Sequence, residues 1–370
     1  MDRRTFLSGA SIAAATVATA CGDTGQETVS APSINRGVKR LRMVTTWPAN
    51  FPGLGTAANN VAEFANAASN GTLEIRVYAA GEIVSAFEAF DAVSEGTADM
   101  YHGAEYYWQG KSPAFNFFTA VPLGMTASEI MGWVEEGDGQ ALWDELSGQF
   151  NIKPFQAGNS GHQMGGWFKR EINSLEDFRG LRMRIPGLGG NVLRELGGAA
   201  VTLSGGEIYP ALQSGAIDAT EWVGPWNDLA FGFYREAPYY YGPGFHEPGS
   251  CLGVGINLDV WNGLESDHQA IIRAACQAAN NVSLAQFTYQ NALALRVLLE
   301  DHGVELRSYT DEMWDVIGPI CEQVVADMGN QDPLTRRVYE SYLAARNSMR
   351  DWGRIGEMPY MRQRDRVLRG

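Results

Sequence analysis

At 370 residues the chain is long enough for two lobes with separate cores, and 45% hydrophobic with 19% charged residues is the balance of a soluble globular protein. A net charge of −15 and a pI near 4.8 argue against nucleic acid and anionic membrane surfaces as partners, since both reward basic patches. Forty-three glycines and ten tryptophans supply tight turns and aromatic walls, which suits a pocketed protein more than a helical scaffold.

Residues 1–20 read as an export signal. Arg3-Arg4-Thr5-Phe6-Leu7 is a twin-arginine pattern, and the apolar run from Ala10 to Ala20 is too short to anchor in a bilayer. Ala18-Thr19-Ala20 forms an A-x-A cleavage site before Cys21; the same residues also make a poor lipobox in which Cys21 would carry a lipid. Residues 21–39 are a linker, and the mature protein is expected in the periplasm.

From Leu41 strands alternate with helices. Leu41–Trp47 alternates and carries two threonines, as a strand does, and Thr56–Ala68 has helical spacing with Thr56 as its cap. Leu73–Ala80 is a second strand and Phe87–Ser94 a second helix, an order that implies a mostly parallel sheet flanked by helices. Phe90–Gly103 and Tyr209–Trp222 share aromatic, x, Ala, aliphatic, x, x, Gly, x, x, Asp, so one helix-turn-strand device occurs twice and implies two lobes facing one cleft. Gly165–Lys169 and Leu181–Ile185 read as strands, Asn191–Leu196 as a short helix and Tyr239–Gly244 as an aromatic-then-glycine loop. Asp267–Leu298 gives long alanine-rich helices, and the periodic Val338–Trp352 is expected to brace both lobes or to pack on a second subunit.

The cysteines, at positions 21, 251, 276 and 321, contain no CxxC pair; the last three read as core thiols, with a single disulfide among Cys251, Cys276 and Cys321 left open. Arg184 ends an apolar strand beside Pro186-Gly187, where a guanidinium can grip a carboxylate with two parallel hydrogen bonds; the bland alternative is a surface arginine. Gln163 and Glu221-Trp222 are ambiguous from pattern alone.

Gln163-Met164-Gly165-Gly166-Trp167, Leu181–Gly187, Gly206–Tyr209 and Leu212–Trp222 together resemble the substrate-binding subunit of TRAP (tripartite ATP-independent periplasmic) transporters, in the branch for 2-oxo acids such as pyruvate, or lactate. The resemblance runs from about Leu41 to the C-terminus. It implies an α/β, two-lobed periplasmic binding protein (type II-like) with a hinge cleft and long C-terminal helices. Lobe I would take 40–162 plus about 253–300 and lobe II 163–252 plus about 301–332, leaving 333–370 as a helical extension with a dimer contact. Arg184 would pair with the substrate carboxylate, and a cation, Na⁺ or Ca²⁺, would sit on Gln163, Glu221 and the backbone carbonyl of Trp222. Many family members have an asparagine where this chain has Trp222, so the tryptophan backbone would take over its contact. Tyr101, Tyr106 and Tyr107 are candidates for a phenol closing over the ligand, and Tyr101 and Tyr106 are assigned to the substrate together with Arg184, Gln163 and Trp222. His246 and Glu247 lie in a loop that could line the cleft, with a solvated loop the preferred reading.

The expected role is therefore capture of a small 2-oxo or 2-hydroxy monocarboxylate for a membrane permease, without catalysis. The rivals are an exported metal-assisted enzyme using Glu221 as base, and a ligand-binding module of a sensor. No GxGxxG or GxSxG fingerprint supports the enzyme.

Overall fold

A computed structural model describes residues 37–368; the twin-arginine signal, Cys21 and most of the 21–39 linker lie outside the described residues. In chain order come β1 (Lys39–Thr45), α1 (Leu54–Ala68), β2 (Leu73–Tyr78), α2 (Ala89–Ser94), β3 (Met100–Gly103), α3 (Ala127–Glu136), α4 (Gly139–Gly148) and β4 (Ile152–Asn159). Then follow β5 (Gly166–Phe168), β6 (Arg182–Arg184), α5 (Gly187–Glu195), β7 (Ala199–Val201), α6 (Gly205–Ser214), β8 (Ala219–Thr220), α7 (Pro225–Phe231) and β9 (Tyr239–Tyr241). The chain ends with β10 (Cys251–Asn257), α8 (Leu258–Asn262), α9 (Ser266–Glu300), β11 (Glu305–Arg307), α10 (Asp311–Gly329), α11 (Pro333–Ile355) and α12 (Glu357–Leu368).

These strands form two mixed sheets, ordered β2-β1-β3-β10-β4 and β11-β9-β5-β8-β6-β7. The parallel pairs expected from the alternating pattern are present in each, but β10 runs antiparallel to both β3 and β4, and β5 antiparallel to β8 and β9. The chain leaves the first sheet after Asn159, returns to it at Cys251, and reaches the second again at Glu305. The two crossing segments lie side by side. Ser160 N–H donates to the Ser250 carbonyl at 3.1 Å, Gln163 N–H to Glu247 at 3.0 Å, and Gly244 N–H back to Gln163 at 3.0 Å.

The repeated motif falls once in each sheet, as α2–β3 and as α6–β8. α6 starts on a capping box between Ser204 and Glu207 and stops at Gly215, whose φ of 75° is the left-handed cap that glycine adopts without strain. α1 begins at Leu54, two residues before the expected Thr56 cap. Gly53 ends the preceding loop with φ 70°, and the Phe287 ring lies 2.4 Å from where a β-carbon would stand, so no larger residue fits.

Tyr239–Tyr241 is not a loop. It is β9, an interior strand between β11 and β5, and three consecutive tyrosines suit a strand buried on both faces. The long apolar stretch past Asp267 is one helix, α9, of 35 residues. Cys251, Cys276 and Cys321 are buried free thiols, which closes the disulfide alternative. α11 docks its first half through Thr335, Val338 and Tyr342, and the Tyr342 hydroxyl accepts the Met125 N–H at 2.7 Å. It packs on α3, α4 and α10, and α10 packs on α5, so the tail ties elements on the two sheets together.

Candidate functional site

Arg184 is the last residue of β6 and is 1% exposed. An isolated guanidinium at that depth would be prohibitively costly, so its partners decide whether it is tolerated. Nη1 donates to the Glu221 carbonyl at 3.1 Å and to the Glu221 carboxylate, and Nε donates to the Leu203 carbonyl at 3.2 Å. Nη2 reaches only the Tyr107 hydroxyl, at 3.5 Å, the limit of a hydrogen bond. The Trp222 ring covers the guanidinium at 4.9 Å. Thus three of the five N–H donors are engaged well, and the Nη2 end retains donor capacity. Desolvation works to lower the arginine's pKa, but the charges of Glu221, Tyr107, Tyr106 and Glu247 together raise it, so the group stays cationic.

Glu221 follows β8 and is fully buried. Its other carboxylate oxygen lies 3.4 Å from Nε2 of His246, and donor atoms of Glu221, His246 and Glu247 lie within 4.8 Å of one another. Burial pushes the Glu247 carboxyl up to about 7, with the Glu221 charge adding to the rise. For His246 burial acts downward, yet the hydrogen bond and charge of Glu221 win and the imidazole pKa is raised. His246 and Glu247 are therefore not a solvated loop: at 1% and 3% exposure they belong to the crossing segment that returns to the first sheet. The glycines of Gly242-Pro243-Gly244 let that segment pass close to Met164 and Gln163, which sequence spacing does not reveal.

Gln163, Trp222 and Tyr106 line one small cavity, together with Trp47, Tyr107, Ser160, Ser250 and Leu252. Arg184 and Glu221 stand behind Trp222 and Tyr107. Tyr101 is not brought to this place. Its hydroxyl donates to Glu105 at 2.8 Å and its ring packs on Phe90 and Trp108 in the core beside the first sheet, so its assignment to the substrate is corrected. The reason is the alternation of β3: Tyr101 faces that core, and the chain needs the following short helical turn, Glu105–Trp108, to present Tyr106 and Tyr107.

The loop after β8 is fixed by Asp228, which accepts from Trp167 Nε1 at 2.9 Å, Tyr240 Oη at 2.7 Å and the Val223 N–H at 3.3 Å. Burial still pushes its carboxyl up to about 7. Asn227 donates to the Pro52 carbonyl at 2.9 Å, and Phe51 stacks on Phe231 at 4.3 Å with both rings edge-on to Trp222. Elements following β1 and β8 thus close over the cavity from opposite sheets.

The donor set fits a hard cation. Gln163 Oε1 is buried without a partner while its Nε2 donates to Ser160 and Ser250, each at 3.0 Å. Carboxylate oxygens of Glu221 and Glu247 lie within 4.8 Å of each other and of a His246 ring nitrogen, a set richer in oxygen than in nitrogen, which suits Na⁺ or Ca²⁺.

Comparisons with known proteins agree with this chemistry. The chain matches the bacterial extracellular solute-binding protein family 7 over residues 43–332. It is 42% identical to the monocarboxylate 2-oxoacid-binding periplasmic protein of Nostoc sp. (strain PCC 7120), across 97% of this chain and 98% of that one. A TRAP periplasmic solute-binding protein from Colwellia psychrerythraea, solved with bound calcium and pyruvate, superposes with a TM-score of 0.85 at 39% identity, over 88% of this chain and 99% of that one. One from Pseudoalteromonas atlantica T6c, with bound sodium and pyruvate, gives 0.85 at 37% identity over 88% and 99%.

Proposed function

This chain belongs to family 7 of the bacterial extracellular solute-binding proteins, the periplasmic receptors of TRAP transporters, and from that premise we propose that it captures a small 2-oxo monocarboxylate of the pyruvate class together with a cation. The family is one of binding receptors rather than enzymes. The observation that carries the ligand class is the buried Arg184, whose Nη2 end keeps donor capacity beside a cavity walled by Trp222, Tyr106 and Tyr107.

In this reading Arg184 fixes the orientation of the substrate carboxylate through charge-assisted hydrogen bonds. Trp222 and Tyr106 exclude water around it, which strengthens that pairing. A cation held by Gln163, Glu221 and the Trp222 carbonyl would offset the second negative charge and receive substrate oxygens. Charge bookkeeping supports it: Arg184 offsets only one of the two carboxylates, Glu221 and substrate, that would share the closed space. The Phe51–Phe231 stack and the Asn227–Pro52 hydrogen bond act as the latch of a hinge closure between lobes divided near the crossing segments.

The delivered ligand goes to the membrane permease of the TRAP system. Export would follow the twin-arginine route, with Cys21 available as a lipid attachment point. A homodimer through the C-terminal helices completes the proposal. Titration of tryptophan fluorescence with pyruvate, longer 2-oxo acids and lactate, with and without EDTA and with Na⁺ exchanged for K⁺, tests it. Saturable, cation-dependent binding is expected. Failure to bind any C2–C6 2-oxo or 2-hydroxy acid would overturn the ligand class.

A further inference from the structure

We infer that Ser160, Ser250 and Glu247 are positioning residues that lock the Gln163 carboxamide with its oxygen turned to the cavity, and so prepare the cation site before any ion arrives. The inference rests on the proposed function for what the site holds, but its own premise is a count of hydrogens.

A carboxamide has one face that donates and one that accepts, and its orientation is decided by its neighbours. Gln163 Nε2 sits 3.0 Å from both the Ser160 and the Ser250 hydroxyl oxygens. A serine hydroxyl has a single hydrogen, and in both residues it is already committed elsewhere. Ser160 Oγ donates to the Gly161 carbonyl at 3.0 Å, and Ser250 Oγ donates to the Glu247 carboxylate. With their hydrogens so placed, both hydroxyls accept from Gln163. The amide must present its two N–H groups to them, and Oε1 is left buried without a partner. Reversing the amide would set an oxygen against two hydroxyl oxygens with no hydrogen between them.

All these residues lie on the two crossing segments, at 1–3% exposure, and the backbone pairs Ser160 with Ser250 and Gln163 with Glu247. The lock therefore belongs to the buried segments that join the two sheets and not to an exposed surface loop. Groups that orient a metal ligand without touching the metal are worth roughly 10–100-fold in affinity.

The test uses the full mature chain and has two independent readouts. The first needs no ion: in ¹⁵N NMR, both Gln163 side-chain N–H resonances should be protected from solvent exchange, with that protection lost in Ser250→Ala and kept in Ser250→Thr. The second is the Ca²⁺ concentration at the midpoint of thermal stabilisation in the presence of pyruvate. It should rise about tenfold in Ser250→Ala and stay within about threefold of wild type in Ser250→Thr, which keeps the hydroxyl. Gln163→Glu should also raise the midpoint, although a carboxylate is the better ligand for a free ion, because it places oxygen where a donor is required. Unprotected Gln163 N–H groups, an unchanged midpoint in Ser250→Ala, or tighter Ca²⁺ binding in Gln163→Glu would each overturn the lock. Protected resonances in a protein that responds to no cation would instead leave the lock standing and remove the proposed cation.

Discussion

Asp99 and Asp218 share three hydrogen bonds to an arginine in two different sheets, and Asp218 adds a fourth, from Arg182 Nη2 at 2.7 Å. Asp99 Oδ2 accepts from the backbone N–H of Arg42 at 2.7 Å and from its Nε at 3.3 Å, and the Asp99 N–H donates to the Arg42 carbonyl at 3.1 Å. Asp218 Oδ2 accepts from the backbone N–H of Arg182 at 3.2 Å and from its Nε at 2.9 Å, and its own N–H donates to Arg182 at 2.7 Å. The clamped segments read Leu41-Arg42-Met43-Val44, within β1, and Leu181-Arg182-Met183-Arg184, at β6. Arg184 thus stands where the other copy has Val44, a residue of an apolar core.

The clamp at Asp218 sets the register of β6 two residues before Arg184. Asp218→Ala should cost about 1–2 kcal/mol of stability, the scale of partly exposed charged hydrogen bonds. It should also weaken pyruvate binding several-fold. Asp99→Ala should cost no more stability and have much less effect on affinity, since the segment it clamps has Val44 where the other has Arg184. Urea denaturation with fluorescence titration checks both; equal losses of affinity would refute the division of labour.

What could be read from the chain alone followed the range of the interactions involved. The duplicated device, the strand ending in Arg184 and the glycine stop at Gly215 are local, and local pattern revealed them. The role of His246, Glu247, Ser160 and Ser250 depends on two crossing segments 87 residues apart meeting side by side, as Gln163 and Ser250 do. No periodicity reports that contact. Tyr101 escapes sequence reasoning for a subtler reason: three tyrosines within seven residues are equivalent by composition, and only the alternation of β3 followed by a helical turn sends Tyr101 to the core and Tyr106 to the cavity. The Leu-Arg-Met repeat was visible, and it would have marked Arg184 as the odd member of a pair.

The Arg184–Glu221 pair is buried on both sides, so removing one partner differs from removing both. Arg184→Ala should abolish ligand binding and also destabilise the fold by about 3–5 kcal/mol, because buried Glu221 loses its ion-pair partner and keeps only the 3.4 Å contact to His246. The double variant Arg184→Met, Glu221→Leu should recover most of that stability and none of the binding. Chemical denaturation of the two variants separates these roles. Retained pyruvate affinity in Arg184→Ala would remove the arginine from the site.

Glu105 gives a pH dependence that has nothing to do with ligand. Its carboxyl is fully buried and pushed up to about 8 by desolvation, against the lowering effect of the Tyr101 hydrogen bond. Between the ordinary carboxyl value of 4.5 and that value the folded chain keeps a proton that the unfolded chain has lost. Stability from this group is therefore full below the unfolded value and falls as pH rises through the window. Glu105→Gln keeps an acceptor for Tyr101 and removes the titration. Its melting temperature should fall less than that of wild type between about pH 5 and pH 8, the difference corresponding to a few kcal/mol at most. Asp228, raised to about 7 by burial, contributes a slope of the same sign that the variant retains. Parallel melting curves for the two proteins across this range would show that Glu105 does not titrate there.

The C-terminal helices change character along their length. α11 is anchored through Tyr342, Ala345, Arg346 and Met349, but beyond them Trp352 is 68% exposed and Ile355 77%, and α12 has no buried residue while exposing Tyr360, Val367 and Leu368. A 12-residue helix with no packed face is marginal in water, and so many large apolar side chains on one short stretch mark an association surface. A second copy is the occupant we expect, because a twofold pairing covers the same stretch on both protomers at once. Light scattering of the mature protein should give twice the protomer mass. Ending the chain after Trp352 is too gentle a test, since that tryptophan would remain, and ending it at Asp332 would remove the buried Val338 and Tyr342 and damage the fold. The double variant Trp352→Glu, Ile355→Glu avoids both problems. It should be monomeric with pyruvate affinity within about twofold of wild type, since neither residue lines the Arg184 cavity. A wild-type monomer at concentrations of order 100 µM would leave these helices without a partner of their own kind, because obligate dimers of this sort hold together well below that range.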